Sequence, residues 1–162
     1  MDDFNFSANV VYENLNSLRA TYPFLEIGSA GRSFLGKDIP YVRIGRGQKE
    51  VFYSAAIHAN EWITTPLLMK FIEDYCVAYV TRSNLYDYPI RNLFNSTSIY
   101  IMPMVNPDGV DLVTGNLAVS SPYFQKALNI ANQFPSITFP NGWKANLNGV
   151  DLENLQPVRK AL

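Results

Sequence analysis

The single histidine of this chain, His58, stands three residues before Glu61 in Ala55-Ala56-Ile57-His58-Ala59-Asn60-Glu61-Trp62-Ile63. An apolar run ends there and a helix is expected to begin. From a strand-to-helix corner, imidazole and carboxylate at that spacing can meet one metal ion. A catalytic zinc site takes three protein ligands and leaves one position for water, yet this chain offers no second imidazole. Six glutamates occur among 162 residues, so a Glu three places after a given His arises by chance about one time in twenty-five. Spacing alone therefore leaves two readings open, a metal site or a histidine satisfied within the fold. Glu61 also has a structural reason to be acidic, because a helix start favours a carboxylate.

The elements that must position this pair follow from periodicity. Val10, Val11, Leu15, Leu18 and Tyr22 recur at helical spacing after Ser7, a candidate N-cap, and Pro23 ends the run. Ile39 to Ile44 and Val51 to Ile57 read as β-rich apolar runs. Gly45-Arg46-Gly47-Gln48 between them is a hairpin signal, so these two strands are expected to pair antiparallel. Leu67, Leu68, Phe71, Ile72, Tyr75, Cys76 and Tyr79 form one helical stripe, with a helix expected from about Thr64 to Val80. Ile90 to Phe94 reads as a short helix and Ser98 to Val105 as a buried strand. Asn106-Pro107-Asp108-Gly109 fits a type I turn. Phe124, Leu128, Ile130 and Ala131 suggest a last helix, with loop from Asn141 on. Helices and strands alternate without repeats, which gives an α/β class with a mixed sheet flanked by helices, in one domain over residues 1–162.

Composition narrows the partners. Lys plus Arg is 13 against 14 acidic residues, for a net charge of −1. No basic run supports a nucleic-acid partner or an anionic membrane surface. Cys76 is the one cysteine, which excludes an internal disulfide and a Cys-rich metal site, and its place in an apolar stripe reads as a buried thiol. The acidic N-terminus lacks signal-peptide character, and no stretch reaches the about 18 apolar residues of a membrane span. A soluble, cytoplasmic protein is the expectation.

Four ordered motifs, one of them holding the His58–Glu61 pair, run along the chain: Gly31-Arg32-Ser33-Phe34-Leu35-Gly36-Lys37-Asp38-Ile39, His58-Ala59-Asn60-Glu61-Trp62-Ile63-Thr64-Thr65-Pro66, Pro103-Met104-Val105-Asn106-Pro107-Asp108-Gly109-Val110, and Trp143-Lys144-Ala145-Asn146 leading to Gly149-Val150-Asp151-Leu152. Together they resemble the M14 family of zinc carboxypeptidases. The wording around His58 is most similar to the bacterial branch of γ-D-glutamyl-L-diamino acid (γ-D-glutamyl-diaminopimelate) peptidases. The resemblance is strongest over residues 12–152, and the tail 153–162 diverges.

The resemblance implies the N-terminal part of a zinc-carboxypeptidase-like domain, with His58 and Glu61 as two ligands of Zn2+. It implies that Asp151 accepts a hydrogen bond from the other His58 nitrogen, which fixes the tautomer; a capped turn after Gly149 is the plainer reading. Lys144 falls near the family's cation that polarises the scissile carbonyl and steadies its oxyanion, although a solvated surface lysine fits as well. Trp62 and Trp143 could line the site, but aromatic core packing is the simpler reading, and Arg32 reads as a solvated turn residue. The implied substrate is a peptide, the cell-wall (peptidoglycan) stem peptide, cut at a γ-D-glutamyl bond to a diamino acid.

Three positions depart from the family. Its third zinc ligand, a His, and its general-base Glu lie downstream of the last motif, and this chain has neither there. Glu153 and Asn154 stand where the family has Asn and often Arg to hold a substrate carboxylate, and Asn148 stands where the bacterial branch has Arg. The loss of resemblance after Leu152 reads as a truncation, a fragment or a change of frame, with apolar sheet surface left open to self-association. The alternative of another class is a catalytically dead domain that binds peptides or a partner.

Overall fold

The computed structural model describes residues 6–153. The chain opens with α1 (Ala8–Thr21), where the Ser7 hydroxyl accepts the Val10 N–H. Two strands follow, β1 (Glu26–Arg32) and β2 (Asp38–Ile44), and then β3 (Lys49–Ser54). A single 3-10 turn (Ala59–Glu61) leads into α2 (Thr64–Thr81). Two short strands, β4 (Asn84–Leu85) and β5 (Tyr88–Pro89), precede α3 (Ile90–Ser96) and β6 (Thr97–Met102). Two helices, α4 (Pro107–Val113) and α5 (Pro122–Ala131), complete the order.

The main sheet runs β1-β2-β6-β3, antiparallel between β1 and β2 and between β2 and β6, and parallel between β6 and β3. The expected α/β class with a mixed sheet is therefore what the chain forms. β6 is its central buried strand, with Thr97, Ser98, Ile99 and Ile101 shielded from solvent.

The hairpin expected between β2 and β3 does not form, because β6 inserts between them. Gly45-Arg46-Gly47-Gln48 is instead a crossing over the start of β6. The Arg46 N–H donates to the Phe94 carbonyl at 2.8 Å. A Cβ at Gly47 would run into the Ser96 and Thr97 backbone, so the glycine serves close approach of two chains rather than a tight turn. β3 ends at Ser54, short of the expected Ile57, and among the described residues it is an edge strand of the sheet. Phe52 is 58 % and Tyr53 46 % exposed.

α2 starts and ends where its stripe predicts, with Met69, Ile72, Tyr75 and Cys76 buried and Leu68, Phe71 and Tyr79 half-buried. Leu67 departs from the stripe. It is 69 % exposed, on the same face as Lys70 and Asp74, which pair with each other one turn apart. Asn106-Pro107-Asp108-Gly109 is a helix start, not an isolated turn: Asn106 Oδ1 accepts the Gly109 N–H at 3.1 Å and Pro107 takes the first turn of α4.

Two apolar clusters result. The larger lies between the sheet and α1, α2 and α3, with Val11, Leu15, Val42, Ile44, Ile72, Tyr75, Ile99 and Ile101 inside. The smaller joins Ala59, Leu112, Phe124, Ala127, Ala131, Trp143 and Leu147. Trp143 thus packs as core, as its type suggests. Arg32 is solvated as expected, 73 % exposed at the side chain, although it closes β1 and pairs with Asp38.

Candidate metal centre

The parallel strands β3 and β6 deliver their C-terminal ends to one edge, where the chain changes direction. Ala55 N–H donates to the Met102 carbonyl, and Val105 and Asn106 N–H donate to the Ala55 and Ala56 carbonyls, each at 3.0 Å. Ala56 sits at φ 49°, a left-handed conformation that costs a non-glycine residue energy and is held by its surroundings. Its N–H donates to Thr64 Oγ1 at 3.0 Å, and the same hydroxyl donates to the Glu61 carbonyl at 2.7 Å. The Ala59 N–H is taken by the Lys144 carbonyl at 3.0 Å. Asn106 Nδ2 donates to the Ile57 and Ala145 carbonyls at 3.3 and 3.1 Å. His58 therefore projects from a turn whose backbone is fixed on both sides. Glu61 closes the 3-10 turn, three residues before α2 begins, rather than opening that helix itself.

His58 is flanked on both ring nitrogens. Nδ1 lies 3.1 Å from Glu61 Oε1, and Nε2 lies 3.2 Å from Asp151 Oδ1. Its side chain is 11 % exposed, against 50 % for Glu61 and 39 % for Asp151. Burial pulls the imidazole pKa down, but the hydrogen bond and charge of Glu61, then those of Asp151, outweigh it and raise the value above that of an ordinary histidine. An imidazolium, with a proton on each nitrogen, satisfies both neighbours.

The structure thus brings His58, Glu61 and Asp151 together, and adds Glu153, whose Oε2 lies 3.2 Å from Nε2. Asp151 Oδ1 also accepts the Glu153 N–H at 3.1 Å, so the turn reading and the histidine-orienting geometry of Asp151 coexist. Lys144 is exposed and borders the same cavity as Asp151. Asn148 accepts from Lys126 at 2.6 Å at the surface, and Asn154 lies outside the described residues.

The donor types of His58 and Glu61, imidazole nitrogen and carboxylate oxygen, are among those that zinc takes. Two ligands at zinc–nitrogen and zinc–oxygen bond lengths subtend about 3.3 Å in a tetrahedral site, close to the 3.1 Å separating Nδ1 from Oε1. Among the described residues, no group of three His, Cys, Asp or Glu converges as a complete metal site.

Reading of the motifs missed a second polar centre. Lys37, in the β1–β2 turn, places Nζ 2.7 Å from Asp111 Oδ2 and 3.2 Å from Asp108 Oδ1. Asp108 also accepts the Leu35 N–H, and Asp111 the Ala8 N–H. The cluster locks α4 against α1 and the hairpin, and α4 in turn packs on the 3-10 turn after His58: a Cβ at Gly109 would press on that of Ala59. The signal available was the three-residue spacing of Asp108 and Asp111, which places both on one face once α4 is read as a helix.

Residues 11–153 match the Peptidase_M14 zinc carboxypeptidase model. The chain belongs to that family. It is 39 % identical over 158 residues to gamma-D-glutamyl-L-diamino acid endopeptidase 1 of Lysinibacillus sphaericus, covering 96 % of this chain and 38 % of the relative. It is 36 % identical over 154 residues to an uncharacterized protein of Bacillus subtilis, covering 94 % and 40 %. The crystal structure of thrombin activatable fibrinolysis inhibitor shares the fold at a TM-score of 0.64 and 19 % identity, over 90 % of this chain and 31 % of that one. The chain spans about two fifths of the length of these two sequence relatives.

Proposed function

We propose that this chain carries the zinc-holding N-terminal part of a peptidase that cuts γ-D-glutamyl–diamino acid bonds of peptidoglycan stem peptides. The observation that carries the reading is the two-sided grip on His58, with Glu61 on Nδ1 and Asp151 on Nε2. The endopeptidase relative supplies the bond type.

Bound zinc would polarise the scissile carbonyl and supply activated water. His58, through Nδ1, and Glu61 would hold it, while the His58 Nε2–H donates to Asp151, which makes Nδ1 the more basic ligand atom. Lys144 steadies the oxyanion from the neighbouring wall. The 162 residues contain one histidine, and no third ligand joins the pair among the described residues. These residues thus supply two of the three protein ligands that a catalytic zinc site takes.

The test is zinc titration of residues 1–162 against a chromogenic chelator, with mass spectrometry of a γ-D-glutamyl-diaminopimelate peptide. Weak zinc binding that is lost in His58→Ala and reduced about 10–100-fold in Asp151→Asn is expected. Binding unchanged by His58→Ala would refute the site. Zinc-dependent cleavage lost in His58→Ala would show that a further ligand completes it.

A further inference from the structure

Asn106 is buried, and both polar atoms of its side chain are engaged. Oδ1 accepts the Gly109 N–H at 3.1 Å, which orients the amide, with the oxygen toward α4 and the nitrogen toward the loops. Nδ2 then donates to the Ile57 carbonyl at 3.3 Å and to the Ala145 carbonyl at 3.1 Å. A Cβ at residue 109 would stand 2.6 Å from Nδ2 and 2.7 Å from Oδ1, so the glycine there leaves the amide its room. Capping a helix needs only the oxygen, and Ser, Thr or Asp would serve for that. Among those residues asparagine alone adds two N–H donors behind the cap.

The two carbonyls belong to different arms of the centre. Ile57 immediately precedes His58. Ala145 follows Lys144 and precedes Asn146, whose Oδ1 accepts the Asn148 and Val150 N–H groups and so closes the turn that leads to Asp151. The arms meet again where the Ala59 N–H donates to the Lys144 carbonyl at 3.0 Å and where Asp151 reaches His58 Nε2 at 3.2 Å. Asn106 thus closes a ring that runs through Ile57, His58, Asp151, the Asn146 turn and Ala145. We propose, on the metal reading above, that Asn106 is a positioning residue that holds the His58 arm against the Lys144–Asp151 arm. It thereby sets the contact of Asp151 with Nε2 without touching either side chain.

The test uses Asn106→Asp, which keeps the shape and the capping oxygen but loses both donors. Asn106→Ser, neutral and also a capping residue, takes its place if the carboxylate prevents folding. The first readout is hydrogen exchange of the Ala59 N–H in metal-free residues 1–162, which reports local parting of the arms. It should be about tenfold faster in either variant, as loss of two hydrogen bonds implies. It should be unchanged in Ile90→Val, which weakens the core at α3 instead. The second readout is zinc affinity. Asn106→Asp should lower it about tenfold when Asp151 is present and less than about twofold in an Asp151→Ala background, where the contact it sets is already gone. Ala59 exchange that is unchanged in the Asn106 variants, or raised as much by Ile90→Val, would overturn the proposal. So would equal losses of zinc affinity with and without Asp151. Zinc binding indifferent to His58→Ala would refute the metal reading alone, and Ala59 exchange would then decide whether Asn106 joins the arms.

Discussion

Replacing Lys37 with Met should cost this fold about 3 kcal/mol. Lys37 Nζ lies 2.7 Å from Asp111 and 3.2 Å from Asp108, with side chains 25 %, 10 % and 3 % exposed. Removing one partner of a buried ion pair typically costs about 3–5 kcal/mol, because the remaining charge stays desolvated. Here two carboxylates are left. The lower end applies, since Lys37 is one quarter exposed and each aspartate keeps a backbone N–H, that of Leu35 or Ala8. A domain of this size has a urea slope of about 1–3 kcal/mol per molar, so the unfolding midpoint should fall by about 1.5 M. Circular dichroism during urea titration measures it. Lys37→Met combined with Asp108→Asn and Asp111→Asn should recover most of the loss, since no buried charge then lacks a partner. A loss below about 1 kcal/mol for Lys37→Met would place the cluster among solvent-screened surface pairs and refute its role as a lock between α1, the hairpin and α4.

Other outcomes follow from single groups. The His58 pKa is raised by Glu61 and Asp151 against the pull of burial. Metal-free protein should thus gain stability from His58 below the unfolded-state pKa and lose it as pH rises through the folded-state value; urea midpoints should drop between pH 6 and pH 9, and less so in His58→Gln. Burial pushes the Cys76 thiol up to about 12, so it should stay unreactive toward a disulfide reagent at pH 8 until urea unfolds the chain. The exposed Phe52 and Tyr53 on the open edge of β3 should make the chain self-associate with concentration, measured by light scattering after gel filtration, and Phe52→Lys should reduce it.

Periodicity located α1, α2, α3 and α5 because each has one buried face in a single regular element, and β6 was visible as an apolar run buried on both faces. It failed where one residue pattern serves two geometries. Gly45-Arg46-Gly47-Gln48 has hairpin chemistry, but only the arrival of Ser96 and Thr97 shows that the glycines are there for backbone clearance. Asn106 and Pro107 suit both a type I turn and a helix start, and the local chain does not distinguish them. β1, with two glycines and no buried residue, gave no signal at all. In the candidate centre, the His58–Glu61 pair is local and was visible. Asp151, 93 residues away, was reached through resemblance to a family. The contacts of Lys37 with Asp111, 74 residues distant, have no pattern in one dimension.

The two apolar clusters meet under His58. Ala56 belongs to the larger and Ala59 to the smaller, so the imidazole stands on a seam. Glu61 is tied through Thr64 to the α2 side. Asp151 follows a turn held by Asn146 and packed on Ile130 of the α5 side. Asn106, which donates to Ile57 and Ala145 together, is a stitch across that seam. If the halves part locally, as separately cooperative units do, the distance from Nε2 to Asp151 changes while the pairing of Nδ1 with Glu61 is kept. Grip on a metal and the electron-donating strength of the gripping nitrogen are thus adjustable one without the other, and substitutions along the α5 side would tune the second while sparing the first.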